Sequence, residues 1–298
     1  MSSQASSEQA KSEQASSEQA APYGGTADNR AQQTPKRIRT LHLQRFKDEG
    51  QKFSMLTAYD AMIAEVLDAA GVEVLLIGDS AANVMQGSGS TLSITVDEMI
   101  VYAKSVVNGA SRALVVADLP FGAYEASPEL AVHNGVRLMK EAGVHAIKME
   151  ADATLAPHVR AMVSAGIPVM AHIGFTPQSE HALGGYRIQG RGEAKDKLLA
   201  NAEALVEAGA FSLLAEMIPA EVMADLEAAV PVPTIGIGAG SAATGQVLVW
   251  QDMLGLNGGR LPRFVKQYAD LRGVITDAVQ QYRAEVASGA FPAEEHSF

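Results

Sequence analysis

Several short apolar runs in this chain are followed by ionisable side chains that could carry acid–base or metal chemistry. The set comprises Asp79, Asp118, Lys148, Glu150, His172 and Glu216. Lys148 and Glu150 lie two residues apart, so an extended strand points both side chains to the same side. Carboxylates on adjacent strands would repel one another unless a cation or Lys148 offsets their charge. A partly hydrated Mg²⁺ held by one or two carboxylates suits such a set.

The same residues indicate a class of reaction. A metal that chelates the keto and carboxylate oxygens of a 2-oxo acid acts as a Lewis acid and acidifies the adjacent C–H. A base on the other side of the substrate could then form the enolate, and Glu216 or His172 could reach it. Lys148 would balance the developing oxyanion. We therefore expect an enzyme that activates a small 2-oxo acid with a divalent metal.

Each of these residues also has a purely structural interpretation. Asp79 and Asp118 could form turns or cap helices. Lys148 could serve only to neutralise a neighbouring carboxylate, and His172 could be a satisfied core histidine. Glu216 precedes a helix and could favour its positive end. None of these interpretations explains why all the residues fall at the same end of successive apolar runs, and this coincidence favours a shared site.

The elements that must position these residues alternate from Ile38 to about Tyr282, as parallel strands joined by helices do. Strands are predicted at 53–57, 72–77, 113–117, 145–149, 168–171, 212–215 and 234–237, with a weaker eighth at 253–256. Helices are predicted at 61–70, 96–108, 128–142, 154–165, 194–208 and 220–229. No dinucleotide fingerprint follows the first strand, so the pattern favours a (β/α)8 TIM barrel over a doubly wound sheet. We assign residues 38–298 to this catalytic barrel.

The composition of the chain limits the kinds of metal site and partner that we expect. The chain has 298 residues, 47% of them hydrophobic, which is enough for one large core. It contains no cysteine, so a metal must be held by oxygen or imidazole. A net charge of -11 disfavours nucleic acid as a partner. No run is long and apolar enough for a membrane span or a signal peptide, so we expect a cytoplasmic protein.

Three segments outside the predicted elements are notable. Residues 1–37 repeat Ser-Glu-Gln-Ala units and are predicted to be a disordered low-complexity tail rather than a docking segment. Residues 174–192 lack apolar periodicity and are predicted to be a long loop. Its arginines, Arg187 and Arg191, could meet an anionic co-substrate or face solvent. The GxGxG sequence at 236–240 is predicted to be a tight loop after the seventh strand.

An ordered series of motifs resembles the ketopantoate hydroxymethyltransferase family. The motifs are Thr57-Ala58-Tyr59-Asp60, Gly78-Asp79-Ser80, Ala117-Asp118-Leu119-Pro120-Phe121, Lys148-Met149-Glu150, HIGFTPQS at 172–179, QGRG at 189–192, GIGAG at 236–240 and EHSF at 295–298. Single motifs are weak signals, but the ordered set is highly specific and covers about residues 38 to 298.

This resemblance implies that a hydroxymethyl group passes from 5,10-methylenetetrahydrofolate to the Mg²⁺-chelated enolate of 3-methyl-2-oxobutanoate. The product would be 2-dehydropantoate, for pantothenate synthesis. The resemblance implies a homo-oligomer, commonly a homodecamer, with small molecules as its substrates. The implied Mg²⁺ ligands are Asp79, Asp118 and, directly or through water, Glu150. The implied substrate-binding residues are Asp79, Ser80, Asp118, Lys148 and His172, and the implied proton acceptor is Glu216.

The chain departs from the family pattern at a few positions. Gly89 and Ser93 replace an aspartate and a proline in the loop after the second strand. Gln251 replaces a common histidine, and Ala151 replaces the glycine that usually follows the glutamate. None of these changes removes an implied ligand or the implied base.

Two other functions compete with this one. The first is an enolate-forming Mg²⁺ lyase of the isocitrate lyase-like or phosphonopyruvate type. Such lyases typically need a catalytic cysteine or a phosphonate site, and this chain has no cysteine. The second is a non-catalytic scaffold, which has no reason to bind Mg²⁺ at the mouth of the barrel.

Overall fold

A computed structural model describes residues 36–259 and 261–298, so the predicted tail, apart from its last two residues, lies outside the described residues. Eight parallel strands pair in chain order and close into a barrel, which confirms the predicted fold class. Arg37, which the sequence analysis assigned to the tail, donates hydrogen bonds to the backbone oxygens of Ala110 and Ala113. The strands are β1 (Phe53–Thr57), β2 (Val74–Ile77), β3 (Leu114–Asp118), β4 (Ala146–Glu150), β5 (Val169–Gly174), β6 (Ser212–Glu216), β7 (Thr234–Ile237) and β8 (Gly245–Leu248).

Helices cover the outside of the barrel and one of its ends. They are α1 (Thr40–Asp48), α2 (Ala61–Ala69), α3 (Ala81–Val84), α4 (Val96–Gly109), α5 (Pro128–Arg137, extended by a π-turn to Ala142), α6 (Ala156–Ser164), α7 (Glu180–Leu183), α8 (Ala194–Glu207), α9 (Ala220–Ala229), α10 (Trp250–Met253) and α11 (Leu271–Ser288). Four of these helices are followed by a glycine with a positive φ angle, which is a common way for a helix to end: Gly71, Gly143, Gly166 and Gly209. Among the described residues, no helix combines the length and apolar character that crossing a bilayer requires.

The prediction of the eighth strand was wrong. Residues 250–253 form α10, and the strand that closes the barrel is β8, which pairs with β1 and β7. The first residue of β8 is glycine, and a side chain at position 245 would lie 2.5 Å from the Phe53 ring. Glycine and glutamine at its start do not form an apolar run, so the pattern gave no strand signal. The loop prediction for 174–192 was also incomplete, since a 3₁₀ turn (Pro177–Ser179) and α7 lie within it.

Side chains fill the barrel interior, so it is a packed core and not a pore. One cluster lies within the strands and includes Met55, Leu76, Val116 and Leu214. Leu43 of α1 belongs to the same cluster and is fully buried. A second, larger apolar cluster packs the outer faces of the strands against the helices. Because the interior is filled, a binding site has room only at the carboxyl ends of the strands.

A buried carboxylate at the end of α2 anchors the start of β3. Asp68 accepts hydrogen bonds from the backbone N–H groups of Ser111, Arg112 and Ala113, at 2.8, 2.9 and 2.6 Å. Burial raises the pKa of Asp68, but these hydrogen bonds lower it by more. The pKa of Asp68 therefore lies below its ordinary value of 3.8. Asp68 thus lies beside the start of β3, whereas Asp118 lies at the end of the same strand.

We predict that Asp68→Asn lowers the free energy of unfolding by about 1–3 kcal/mol, because an amide NH₂ group would face backbone donors. Because the pKa of Asp68 is lower in the folded state, its stabilisation is present above the unfolded-state pKa near 3.8 and is lost as the pH falls through the folded value. Urea unfolding at pH 7 and pH 3 would test this. An equal stability of wild type and variant at pH 7 would contradict it.

Candidate active site

All seven residues implicated from the sequence line one cavity of about 280 Å³ at the carboxyl ends of the strands. Asp79 and Ser80 follow β2, Asp118 ends β3, and the remaining residues lie on β4, β5 and β6. The seven are Asp79, Ser80, Asp118, Lys148, Glu150, His172 and Glu216. Their predicted convergence at one end of the barrel is confirmed.

A buried ion pair lies at the centre of this cavity. Asp118 and Lys148 are register partners on β3 and β4, and Lys148 Nζ lies 2.7 Å from Asp118 Oδ1. Burial lowers the pKa of Lys148, but the charges of Asp118, Asp79 and Glu150 raise it by more, so the net shift is upward. Lys148 is therefore a fixed positive charge that partly offsets three carboxylates.

The other two carboxylates of this group repel their neighbours. Burial, together with the charge of Asp118, raises the pKa of Asp79 to about 6. Burial and the charge of Asp79 raise the pKa of Glu150 well above 4.5. Asp79 approaches Asp118 closely enough for its backbone N–H to donate to Asp118 Oδ2 at 3.1 Å. A bound cation would relieve this repulsion.

Gln178 connects two of the carboxylates, and the sequence analysis assigned it no role. Its side-chain Nε2 donates to Asp79 Oδ2 at 2.9 Å, and its backbone N–H donates to Glu150 Oε2 at 3.0 Å. The residue lies in the 3₁₀ turn that follows β5. The motif around it was recognised, but the sequence contains no sign that the turn folds back over β2 and β4.

His172 lies between the two glutamates of the cavity. Its Nε2 is 3.3 Å from Glu216 Oε2, and its Nδ1 is 3.7 Å from Glu150 Oε1. Burial and the charge of Lys148 hold the pKa of His172 well below 6.5, so the ring is neutral at pH 7. Burial also raises the pKa of Glu216 to about 7, despite the opposing charge of Lys148. A glutamate with a pKa near neutrality is suited to accept and return a proton.

The backbone around Glu216 is held from both sides. Gly174 at the end of β5 has a φ of +91°, and a side chain there would lie 2.3 Å from the carbonyl oxygen of Glu216. The N–H of Phe175 donates to that oxygen at 2.8 Å. Met217 is the one non-glycine residue with positive φ (49°) in the described part of the chain, and its N–H donates to Ile237 O at 2.9 Å. Such a conformation is uncommon outside glycine and clusters at functional sites.

The chain matches the family model described as ketopantoate hydroxymethyltransferase over residues 37–294. It belongs to this family. A 3-methyl-2-oxobutanoate hydroxymethyltransferase of Arthrobacter sp. (strain FB24) is 56% identical over 285 residues, covering 93% of this chain and 95% of that protein. The protein of that name from Mycobacterium ulcerans (strain Agy99) is 53% identical, covering 93% of each chain.

Solved structures of other proteins share the fold of this family member at low identity. Phosphoenolpyruvate phosphomutase from Streptomyces platensis subsp. rosaceus has a TM-score of 0.56 and 18% identity, covering 84% of this chain and 88% of that one. A phosphonopyruvate hydrolase in complex with oxalate and Mg²⁺ has a TM-score of 0.55 and 13% identity, covering 86% and 92%. These similarities support the barrel fold alone.

The donor set of the family member suits Mg²⁺ with few protein ligands. In the described part of the chain, no group of three or more histidine, aspartate or glutamate residues is arranged to share a metal. Glu150 Oε2 accepts from the backbone of Gln178, which leaves Oε1 as the oxygen that could meet a cation, directly or through water. Asp79 and Asp118, completed by water and substrate oxygens, match the preference of Mg²⁺ for one or two carboxylates.

Other residues of the cavity wall were not identified from the sequence. Tyr59 is buried behind the wall and hydrogen-bonds Oγ of the wall residue Ser80 at 2.8 Å. Tyr186 lines the cavity and stacks on Phe175, with ring centroids 4.7 Å apart. Phe264 also lines it, coming from a segment near the carboxyl end of the chain. These contacts join distant segments, so spacing in the sequence could not reveal them.

The two arginines of the loop after β5 lie outside this cavity. Arg187 and Arg191 are both exposed, and neither belongs to the cavity lining. Of the two sequence interpretations, the structure favours exposure to solvent.

The departures from the family pattern leave the cavity wall intact. Gln251 is buried, and its Nε2 lies 3.7 Å from the sulfur of Met85. Ser93 donates to Ser88 Oγ at 3.1 Å, and Ser88 donates to Ser90 O at 2.9 Å. The loop after β2 is thus held by serine hydroxyls in place of the missing proline.

Proposed function

We propose that this protein transfers a hydroxymethyl group to 3-methyl-2-oxobutanoate, giving 2-dehydropantoate. The one-carbon donor is 5,10-methylenetetrahydrofolate, and water supplies the hydroxyl oxygen, so tetrahydrofolate is released. The observation that carries this proposal is that Asp79, Asp118, Lys148 and Glu216 line one cavity in a chain 56% identical to a curated protein of that name. A lyase activity gains no support, because the lyases among the structural neighbours share only the fold.

Mg²⁺ is the proposed cofactor, which Asp79 and Asp118 would hold, with Glu150 contributing directly or through water. When bound, it polarises the keto group of the substrate and so acidifies the neighbouring C–H. The raised pKa values of Asp79 and Glu150 support a site that needs positive charge. Asp79 and Asp118 are also proposed to bind the substrate, because the substrate oxygens would occupy the same site as the cation.

The protein's own groups bind the substrate and move its proton. Glu216 takes the proton from C3 of 3-methyl-2-oxobutanoate, and its pKa near 7 suits that task. Neutral His172, whose Nε2 lies 3.3 Å from the Glu216 carboxylate, lies beside the substrate. Lys148 offsets the negative charge that develops on the substrate oxygen. Ser80, hydrogen-bonded to Tyr59, binds the substrate carboxylate.

Enolisation tests this function without the folate. In D₂O with Mg²⁺, the protein is expected to exchange the C3 proton of 3-methyl-2-oxobutanoate for deuterium, because Glu216 needs only the activated substrate. Proton NMR would follow the loss of the C3 signal, with a chelator-treated sample as the control. Absence of exchange in the sample with Mg²⁺ would reject the proposal.

We further propose that the protein acts in the cytoplasm as a homo-oligomer, a homodecamer by resemblance to its family. None of the 18 residues of α11 is buried in the single chain, and its exposed apolar side chains include Val274, Ile275, Val279 and Tyr282. Contacts with other copies would cover this surface. Light scattering is expected to give about ten times the chain mass of 31.3 kDa. A monomer mass at micromolar concentration would contradict this.

A further inference from the structure

Gln178 is a buried residue at the boundary of the acidic cavity, and both ends of its side-chain amide are hydrogen-bonded. Its Nε2 donates to Asp79 Oδ2 and to the carbonyl oxygen of Leu119, at 2.9 and 3.0 Å. Its Oε1 accepts from the hydroxyl of Tyr124 at 2.6 Å, and its backbone N–H donates to Glu150 Oε2 at 3.0 Å. One residue from the loop after β5 thus contacts residues at or just after the ends of β2, β3 and β4.

We propose that Gln178 is a positioning residue, which orients Asp79 and Glu150 and thereby sets the affinity of the site for Mg²⁺. This inference rests on the proposed function, since it assumes that the cavity binds the cation. Gln178 itself does not line the cavity that holds Asp79 and Asp118. It acts through the two carboxylates that it holds.

The orientation of the amide is fixed by its partners. The carbonyl oxygen of Leu119 can only accept a hydrogen bond, so the NH₂ end of Gln178 must face it. Tyr124 is buried, and burial raises the pKa of its hydroxyl, so this group remains protonated and donates to Oε1. The amide therefore presents a donor, and not an acceptor, to Asp79. A reversed amide would place Oε1 against two acceptors.

This arrangement uses one oxygen of each carboxylate and leaves the other available. Asp79 Oδ2 and Glu150 Oε2 accept from Gln178, whereas no described residue donates a hydrogen bond to Asp79 Oδ1. Asp79 and Glu150 both line the cavity. A ligand that is already oriented loses less entropy when it binds, so loss of such an outer partner typically weakens a metal site by about 10–100-fold.

The test measures Mg²⁺ binding by calorimetry in the full chain, below the melting temperature of every variant. Gln178→Met keeps the length of the side chain but removes its amide, and it is expected to weaken Mg²⁺ binding by about tenfold or more. Gln251→Met is the matched control, because Gln251 is a buried glutamine without a hydrogen bond to a carboxylate. It is expected to keep the wild-type affinity.

The outcomes separate the two proposals. A wild-type protein that binds no Mg²⁺ would overturn both the metal assignment and this inference. Wild-type affinity in Gln178→Met, with or without a lower melting temperature, would overturn this inference alone and leave Gln178 a structural residue.

Tyr124→Phe keeps the inference testable if Gln178→Met does not fold. This variant removes only the hydroxyl that orients the amide, and it is expected to weaken Mg²⁺ binding by a few fold, through Gln178. Where Gln178→Met does fold, adding Tyr124→Phe to it should have no further effect on affinity. Unchanged affinity in the single variant, or full additivity in the double variant, would contradict a role through Gln178.

Discussion

Replacing Glu216 by glutamine is expected to lower kcat by about a hundredfold or more while substrate binding is retained. The amide has nearly the same shape but cannot accept the C3 proton, and general-base catalysis typically contributes about 10²–10⁴-fold. Glu216 faces the cavity opposite Asp79 and Asp118, so the change leaves the proposed metal site intact. Steady-state kinetics with 3-methyl-2-oxobutanoate would measure kcat, and calorimetry would measure substrate binding. An unchanged kcat would remove Glu216 from the mechanism.

The pH profile provides a second readout for the same residue. Because burial raises the pKa of Glu216 to about 7, the base is protonated at lower pH and active at higher pH. The rate is therefore expected to rise with pH around 7, rather than around the ordinary value near 4.5. This acid limb should disappear in Glu216→Gln. A limb that persists in the variant would belong to another group.

Asp118→Asn is expected to weaken Mg²⁺ and substrate binding together, each by at least about tenfold. The wild-type carboxylate contacts Lys148 Nζ at 2.7 Å and accepts from the Asp79 N–H at 3.1 Å. An asparagine can place its oxygen toward only one of these donors and must turn its NH₂ group toward the other. The variant also removes a negative charge from the proposed metal site, and an interaction with a charged group contributes about 1.5–3 kcal/mol, which corresponds to about ten- to a hundredfold in affinity. Calorimetric titration of both ligands would measure the change.

Asp68→Asn is a matched control for this variant. Both aspartates are buried, but Asp68 bonds only groups around the start of β3 and does not line the cavity. We expect Asp68→Asn to lower stability and keep the wild-type Mg²⁺ affinity. Asp118→Asn, in contrast, is expected to lower the Mg²⁺ affinity. Wild-type Mg²⁺ affinity in Asp118→Asn would reject its assignment as a ligand.

Most of the barrel could be predicted from the sequence because its strands are buried on both faces. Residues 74–77 and 114–117 are continuous apolar runs, and each predicted strand of the first seven overlaps an observed one. The prediction for β8 was wrong because its first residues, Gly245 and Gln246, suit particular contacts and do not form an apolar run. Gly245 packs against the Phe53 ring, which is distant in the sequence, and Gln246 donates to the backbone oxygen of Gly240 in a loop. Apolar periodicity reports burial, but it does not report such contacts.

The members of the site were predictable for a related reason, whereas their mutual contacts were not. A barrel brings all strand ends to one rim, so Asp79, Asp118 and Glu216 had to lie near one another once the strands were known. The side-chain bridge through Gln178 and the left-handed backbone at Met217 depend on how loops fold back. Loop geometry of this kind has no periodic signal in a single sequence.

The tight contact between Gly174 and the carbonyl oxygen of Glu216 has a consequence for genetics. Any side chain at position 174 would meet that oxygen at 2.3 Å, and the φ of +91° already disfavours residues other than glycine. Substitution there would displace the carboxylate without touching a ligand. A selection for pantothenate auxotrophs would thus recover alleles of Gly174 alongside those of Glu216, although only the latter alter a chemically reactive group.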